Sequence, residues 1–226
     1  MNLQLVRLLH LASPALPVGA FSYSQGLEWA VESGALTTEA SARQWIRDAL
    51  HFALARCEAP ALIGLMRAWR AGDLATVRRL NASFIATRET AELRAETLQM
   101  GYSLARLLRD LPDTPDAVKH ALGTLDETAF PTPWAAAAAH WQIAEAEAAT
   151  SYLWAWLENQ VMAAVKLVPL GQTAGQRMLV ALAEDLPALA VEAARRADSE
   201  DWENFTPGMT LACCLHETQY TRLFRS

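Results

Sequence analysis

Side chains able to do chemistry are few in this 226-residue sequence, and the densest group is Cys213, Cys214, His216 and Glu217. Thiolate and imidazole are ligands for zinc, nickel or copper, so one reading of the segment is a helical metal-binding enzyme built on Cys213, Cys214 and His216. Neighbouring positions on a helix stand about 100° apart, so the two thiols do not converge readily on one ion. Cysteine is also among the residue types most often buried. His216-Glu217 opens like the zinc-protease pattern H-E-x-x-H, but Tyr220 stands where the second histidine must be. Di-iron bundles need Glu-x-x-His on two helices, whereas here only Asp48 and His51 have a comparable spacing, which reads as a surface contact. The other histidines, His10, His120 and His140, are scattered. Gly171 and Gly175 bracket a stretch like part of a phosphate loop, yet the required Gly-Lys-Ser/Thr never appears, nor does a G-x-S-x-G elbow or a G-x-G-x-x-G turn. The expectation is a chain without a catalytic centre, cofactor or resident metal, acting by binding other proteins.

The elements that position these residues read as helices. Apolar residues recur at spacings of three and four, and alternating runs rich in Val, Ile and Thr are absent, so the fold class is all-α, a single helical domain of about ten helices over 1–226. A first helix covers 3–11 and stops before Pro14. Ser22 with Gln25 three residues on has the form of a capping box for a second helix that Gly34 ends. Further helices are expected at 38–56, 60–71, 73–88 and 90–111, with Pro60 kinking or separating the first two. A short helix ends near Gly123, 130–133 reads as a loop, and an alanine-rich helix follows over 134–149. Thr150 or Ser151 caps the next helix, which runs to Val168; another starts at Thr173 and bends at Pro187. Thr206 and Pro207 mark a last one by N-cap and first-turn proline.

Composition sets the class. A formal charge of -6 with no Lys or Arg block gives no cationic field for nucleic acid. Three cysteines, two of them adjacent, imply no disulfide framework and fit a reducing, cytoplasmic setting. The apolar opening is interrupted by His10, Pro14 and Pro17 and reads as mature protein rather than a signal peptide. The charge-free run 128–144 contains Pro131 and Pro133 and falls short of the ~20 apolar residues of a membrane span, so no membrane is expected as a partner.

Two stretches, 8–27 and 204–216, carry no Asp, Glu, Lys or Arg. The first bears Leu16, Val18 and Phe21 on irregular backbone, suited to folding over the core or to meeting a partner. The end, HETQYTRLFRS, reads as a helix with Tyr220, Leu223 and Phe224 on one face, flanked by Arg222 and Arg225. Leaving such a face wet forgoes about 1.5–3 kcal/mol per large apolar side chain, so it should dock on its own domain or on another protein. Segments 1–21 and 216–226 are thus candidate partner-binding extensions. Lys166, one of two lysines, closes an apolar helix in a way that fits ordinary snorkelling.

These segments carry a family resemblance. LASPALPVGAFSYSQGLE at 11–28, ATRETAELRAETLQMG at 86–101, NQVMAAVKLVPLGQTAGQRML at 159–179 and HETQYTRLFRS at 216–226 resemble the UreF family of urease accessory proteins over nearly the whole length. The resemblance implies an all-helical, dimeric, non-catalytic adaptor. It would join a scaffold accessory protein, UreD or UreH, and the GTPase UreG to load nickel into apo-urease, recruiting the GTPase and controlling its hydrolysis of GTP. Carried over by motif, Tyr23, Gln25, Glu28, Lys166 and Gln172 are the candidates for GTPase-facing and assembly surfaces. Tyr220, Arg222, Phe224 and Arg225 would engage the scaffold and the neighbouring end of the chain. The cysteines at 213 and 214 lie outside the family pattern, and nickel is expected as cargo in transit rather than as a tightly held ion.

Overall fold

The computed structural model describes residues 3–226, and among them every regular element is helical. In chain order these are α1 (Leu3–Leu11), α2 (Leu27–Glu32), α3 (Glu39–Ala49), α4 (Ala59–Ala71), α5 (Leu74–Ala86), α6 (Ala91–Asp110), α7 (Asp116–Gly123), α8 (Pro131–His140), α9 (Glu145–Leu167), α10 (Gln172–Ala183), α11 (Leu186–Ser199) and α12 (Pro207–His216). A short 3-10 turn occupies Ala20–Ser22. One core collects buried side chains from Leu11 to Ala197, with α4 and α9 at its centre: α8, α11 and α5 pack on α4, and α10, α11, α3, α2 and α1 on α9.

Several boundaries follow from caps. The side chain of Thr38 accepts from the N–H of Ser41 while the Ser41 hydroxyl accepts from the N–H of Thr38, a reciprocal box that starts α3. Asp73 and Thr90 cap α5 and α6 in the same sense. Gly34, at φ +79°, ends α2 where the sequence places the stop.

Of the two roles expected of Pro60, separation is overturned. Pro60 neither separates nor ends a helix: α3 passes through a π-helical segment, Leu50–Glu58, into α4, giving one helix from Glu39 to Ala71. Proline has no N–H for the carbonyl four residues back and its ring crowds that carbonyl. Widening the helix to i−5 bonding, as in Ala59 N–H to Leu54 O, makes room, and the freed Arg56 carbonyl accepts the N–H of Glu203 at 3.1 Å. This helix is long and apolar enough to cross a membrane, but its most apolar window is 78% buried inside the protein, as a core helix should be.

Two further boundaries correct the sequence reading. Residues 131–133 are the first turn of α8, not loop, since proline suits positions whose N–H has no helical acceptor. The alanine-rich helix stops at His140, not 149, and Thr150 and Ser151 lie inside α9. Gln142 turns left-handed at φ +55°, Ile143 donates back to Ala138 O at 3.0 Å, and the Ile143 side chain is fully buried. Likewise α10 and α11 are separate helices, with Pro187 in the first turn of α11 rather than at a bend.

Gly101 sets the approach of α6 to the 128–129 backbone. A Cβ there would lie 1.9 Å from Thr128 O and 2.8 Å from the Ala129 carbonyl carbon. Both are main-chain atoms, so the helix itself must retreat. Gly101→Ala is expected to cost about 1–3 kcal/mol in chemical denaturation despite the higher helix propensity of alanine; unchanged stability would show that α6 can slide.

Candidate functional site

The residues singled out around SYSQGLE and the tail come together at one corner of the molecule, where the turn 22–26, the start of α2, the first turns of α6 and residues 216–226 meet. The turn is made by two successive left-handed residues, Gln25 at φ +52° and Gly26 at φ +79°. Gly26 has a second constraint, because a Cβ there would lie 3.0 Å from both Ala212 Cβ and Cys213 N on α12. Ser22 therefore starts no helix: α2 begins at Leu27 with Gly26 in the cap position. Gln25 turns inward, donating from Nε2 to Glu96 Oε1 at 2.7 Å and accepting from Trp156 Nε1 at 2.8 Å. The Ser-x-x-Gln pattern fits either outcome; the turn prevails because the N–H groups of Ser24 and Gln25 donate to the carbonyl oxygen of Ser226 and need no cap.

The tail is not the expected helix. After His216 the chain is irregular, with Tyr220 fully exposed and Phe224 only 6% exposed, so the two do not share a face. The N–H groups of residues 223–225 are taken by partners outside the tail: those of Leu223 and Phe224 donate to the Glu28 carboxylate at 2.6 and 2.9 Å, and that of Arg225 to Ser22 O at 2.8 Å. Arg222 pairs with Glu92 at 2.8 Å, and the Ser226 hydroxyl donates to Glu96 Oε2 at 2.9 Å. His216, fully buried, faces Glu92 at 2.7 Å and Glu28 at 3.1 Å.

The remaining candidates distribute as follows. Tyr23 is buried; burial raises its phenol above the ordinary range, Glu96 adds to this and Arg225 offsets it. Lys166 is exposed, but its Nζ stands 5.7 Å from the centroid of the Phe224 ring, a cation–π contact that binds α9 to the tail. Gln172 is exposed at the first position of α10 and is not brought into this cluster. Of the charge-free segment, Leu16 and Val18 fold over the core while Phe21 stays 67% exposed. That segment roofs a cavity of about 420 Å³ whose apolar walls include Trp134 and Trp156 and whose floor holds Glu96 and the buried Arg88–Glu58 pair.

Glu92, Glu96 and Ser226 organise this corner without having been singled out. The signal was the spacing of Glu92 and Glu96, four apart and so on one face of α6 in ATRETAELRAETLQMG. Burial drives the Glu96 carboxyl up to about 7, with Gln25 and Ser226 pulling against the rise, Glu58 adding to it and Arg88 opposing it.

The metal reading is not assembled. Cys213 is buried against Gly26, and burial raises its thiol far above the usual range, whereas Cys214 points to solvent and His216 is engaged by two carboxylates. Among the described residues no group of three or more His, Cys, Asp and Glu side chains is arranged to hold a metal ion. His51 contacts Asp185 on the α10–α11 junction at 2.9 Å, alongside Arg47, rather than pairing with Asp48.

Fold and site together define an all-helical protein whose clustered polar groups fasten an irregular tail to a turn. Comparison gives the family: a model of the UreF family matches residues 36–183. A urease accessory protein UreF of Azoarcus sp. (strain BH72) is 62% identical over 226 residues, covering 99% of this chain and 96% of that protein. Those of Dechloromonas aromatica and Methylobacillus flagellatus are 58% and 49% identical, covering 99% and 98% of this chain and 98% and 97% of theirs. The chain belongs to the UreF family of urease accessory proteins.

Two outcomes follow for this corner. Glu96 holds its proton in the fold to about pH 7 against a reference of 4.5, so its contribution to stability is complete below the reference value and is lost as pH rises through about 7. Glu96→Gln keeps an acceptor for Gln25 and offers a donor to Ser226, so its Tm relative to the parent should climb between about pH 5 and about pH 8; a constant difference would remove the buried carboxyl as the cause. Glu28→Ala leaves two tail N–H groups and His216 without their acceptor and should lower stability by about 1–3 kcal/mol, measured by denaturant titration, so this residue registers first in stability rather than in partner coupling.

Proposed function

We propose that this chain is the adaptor of a urease-activating assembly, a non-catalytic cytoplasmic protein that binds the scaffold UreD or UreH, recruits the GTPase UreG and regulates its GTP hydrolysis while nickel is delivered to apo-urease. Membership of the UreF family carries the reading. Surface chemistry supports it: α1 leaves Leu3, Leu5, Val6 and Leu9 exposed, and the other end of the chain leaves Leu211, Tyr220 and Leu223 exposed. Covering such side chains is worth about 1.5–3 kcal/mol each, and a second copy of the chain together with the scaffold would supply the cover. Lys166, Gln172 and Arg225 are exposed polar groups suited to the GTPase. Tyr23, Gln25, Glu28 and Phe224 support those surfaces from within, and Arg222 sits at their edge, paired to Glu92.

The test separates surface from support. Tyr220→Ala with Leu223→Ala removes only side chains that face solvent, so Tm should move little, whereas co-elution with the scaffold and the GTPase on size exclusion, and activation of apo-urease, should be lost. Normal complex formation by this double variant would take the tail out of the interface; failure of the parent chain to co-elute with either protein under any nucleotide would remove the adaptor reading itself.

A further inference from the structure

His216 is wholly enclosed, and both of its ring nitrogens face carboxylate oxygens: Nδ1 lies 2.7 Å from Glu92 Oε2 and Nε2 3.1 Å from Glu28 Oε2. Neutral imidazole has one N–H and one lone pair, and only the imidazolium form donates from both nitrogens. With a neutral ring, therefore, one carboxylate oxygen confronts a nitrogen lone pair across a hydrogen-bond distance. The two carboxylates are also the tail's anchors, Glu28 for the N–H groups of Leu223 and Phe224 and Glu92 for the Arg222 guanidinium. Counting charge gives the same result: Glu28 and Glu92 balance Arg222 and a charged ring, while a neutral ring leaves one buried negative charge unmatched.

We propose that His216 is a proton-operated latch: the doubly protonated ring draws Glu28 and Glu92 together and seats residues 222–226 on the 22–26 turn, and loss of one proton frees the tail. The charged and titratable groups around the ring are Glu28 from α2, Glu92 and Glu96 from α6, Cys213 from α12, Glu217 just past its end, and Arg222 from the tail, with Tyr23 and Arg225 beside Glu96. Glu217 is occupied by the N–H of Ala91 at 2.9 Å. Glu96 holds only the Ser226 hydroxyl of the tail and is a second titrating group to be separated from the first.

Hydrogen-exchange mass spectrometry on the full chain at about pH 6 and about pH 9, with each amide corrected for its intrinsic rate and α9 as internal reference, reads the latch directly. In the parent and in Glu96→Gln, protection of residues 222–226 should fall roughly tenfold at the higher pH, as expected for one charge-assisted contact, with α9 unaffected. His216→Gln should show the low value at both. Glu92→Gln should show the same value at both, because its amide can donate to the lone pair of a neutral ring while its oxygen still accepts from Arg222. Equal tail protection in the parent at the two pH values overturns the proposal, as does a parental pH response in His216→Gln. Should α9 itself lose protection in His216→Gln, Glu92→Gln decides, and a parental response there overturns the latch.

Discussion

Backbone amides that enter a protein interior outside regular secondary structure must find acceptors, and the corner that distinguishes this molecule depends on how that requirement is met. Residues 222–226 make no helix of their own. One carboxylate, Glu28, takes two of their N–H groups, the carbonyl of Ser22 takes a third, and the carbonyl of Ser226 in turn serves the turn at 22–26. The left-handed pair Gln25-Gly26, the short α2 and the seat of α12 over Gly26 all follow from that exchange. In this UreF-family protein the exchange joins the turn at 22–26 and the start of α2 to residues 222–226.

Local signals were legible in the sequence, and signals that act across the chain were not. The helix at 3–11, the Gly34 stop, the helix starts expected at 38, 73 and 90 and the first-turn Pro207 are each decided within four residues, and each was readable. The separation expected as one outcome at Pro60 fails because the carbonyl it frees is taken by Glu203, nearly 150 positions away. The break at 141–144 carries no glycine or proline; burial of Ile143 decides it, with Glu145 and Glu147 opening the next helix as the one local hint.

The site divides in the same way. Tyr23, Gln25 and Glu28, carried over by family motif, and Arg222, Phe224 and Arg225, which stood out in an oddly mixed tail, do converge. Their chemistry was misjudged: a tail read as an amphipathic helix is an extended strap with one buried aromatic ring, because no periodicity rule describes a segment whose amide partners lie some 195 residues upstream. Lys166 fitted snorkelling on local grounds, and only the folded tail supplies the Phe224 ring beneath it. Glu92 and Glu96 needed knowledge of which face of α6 looks toward α12.

The bond from Glu203 to the Arg56 carbonyl has a mechanical reading. Residues 200–206 connect α11 to α12, and through this contact they are stitched to the middle of the longest helix, at the one place where its bonding pattern is loosened. Displacing α12 through this linker would load that one bond first, beside the wide turns of Leu50–Glu58, where Glu58 contacts both Arg88 and Tyr152.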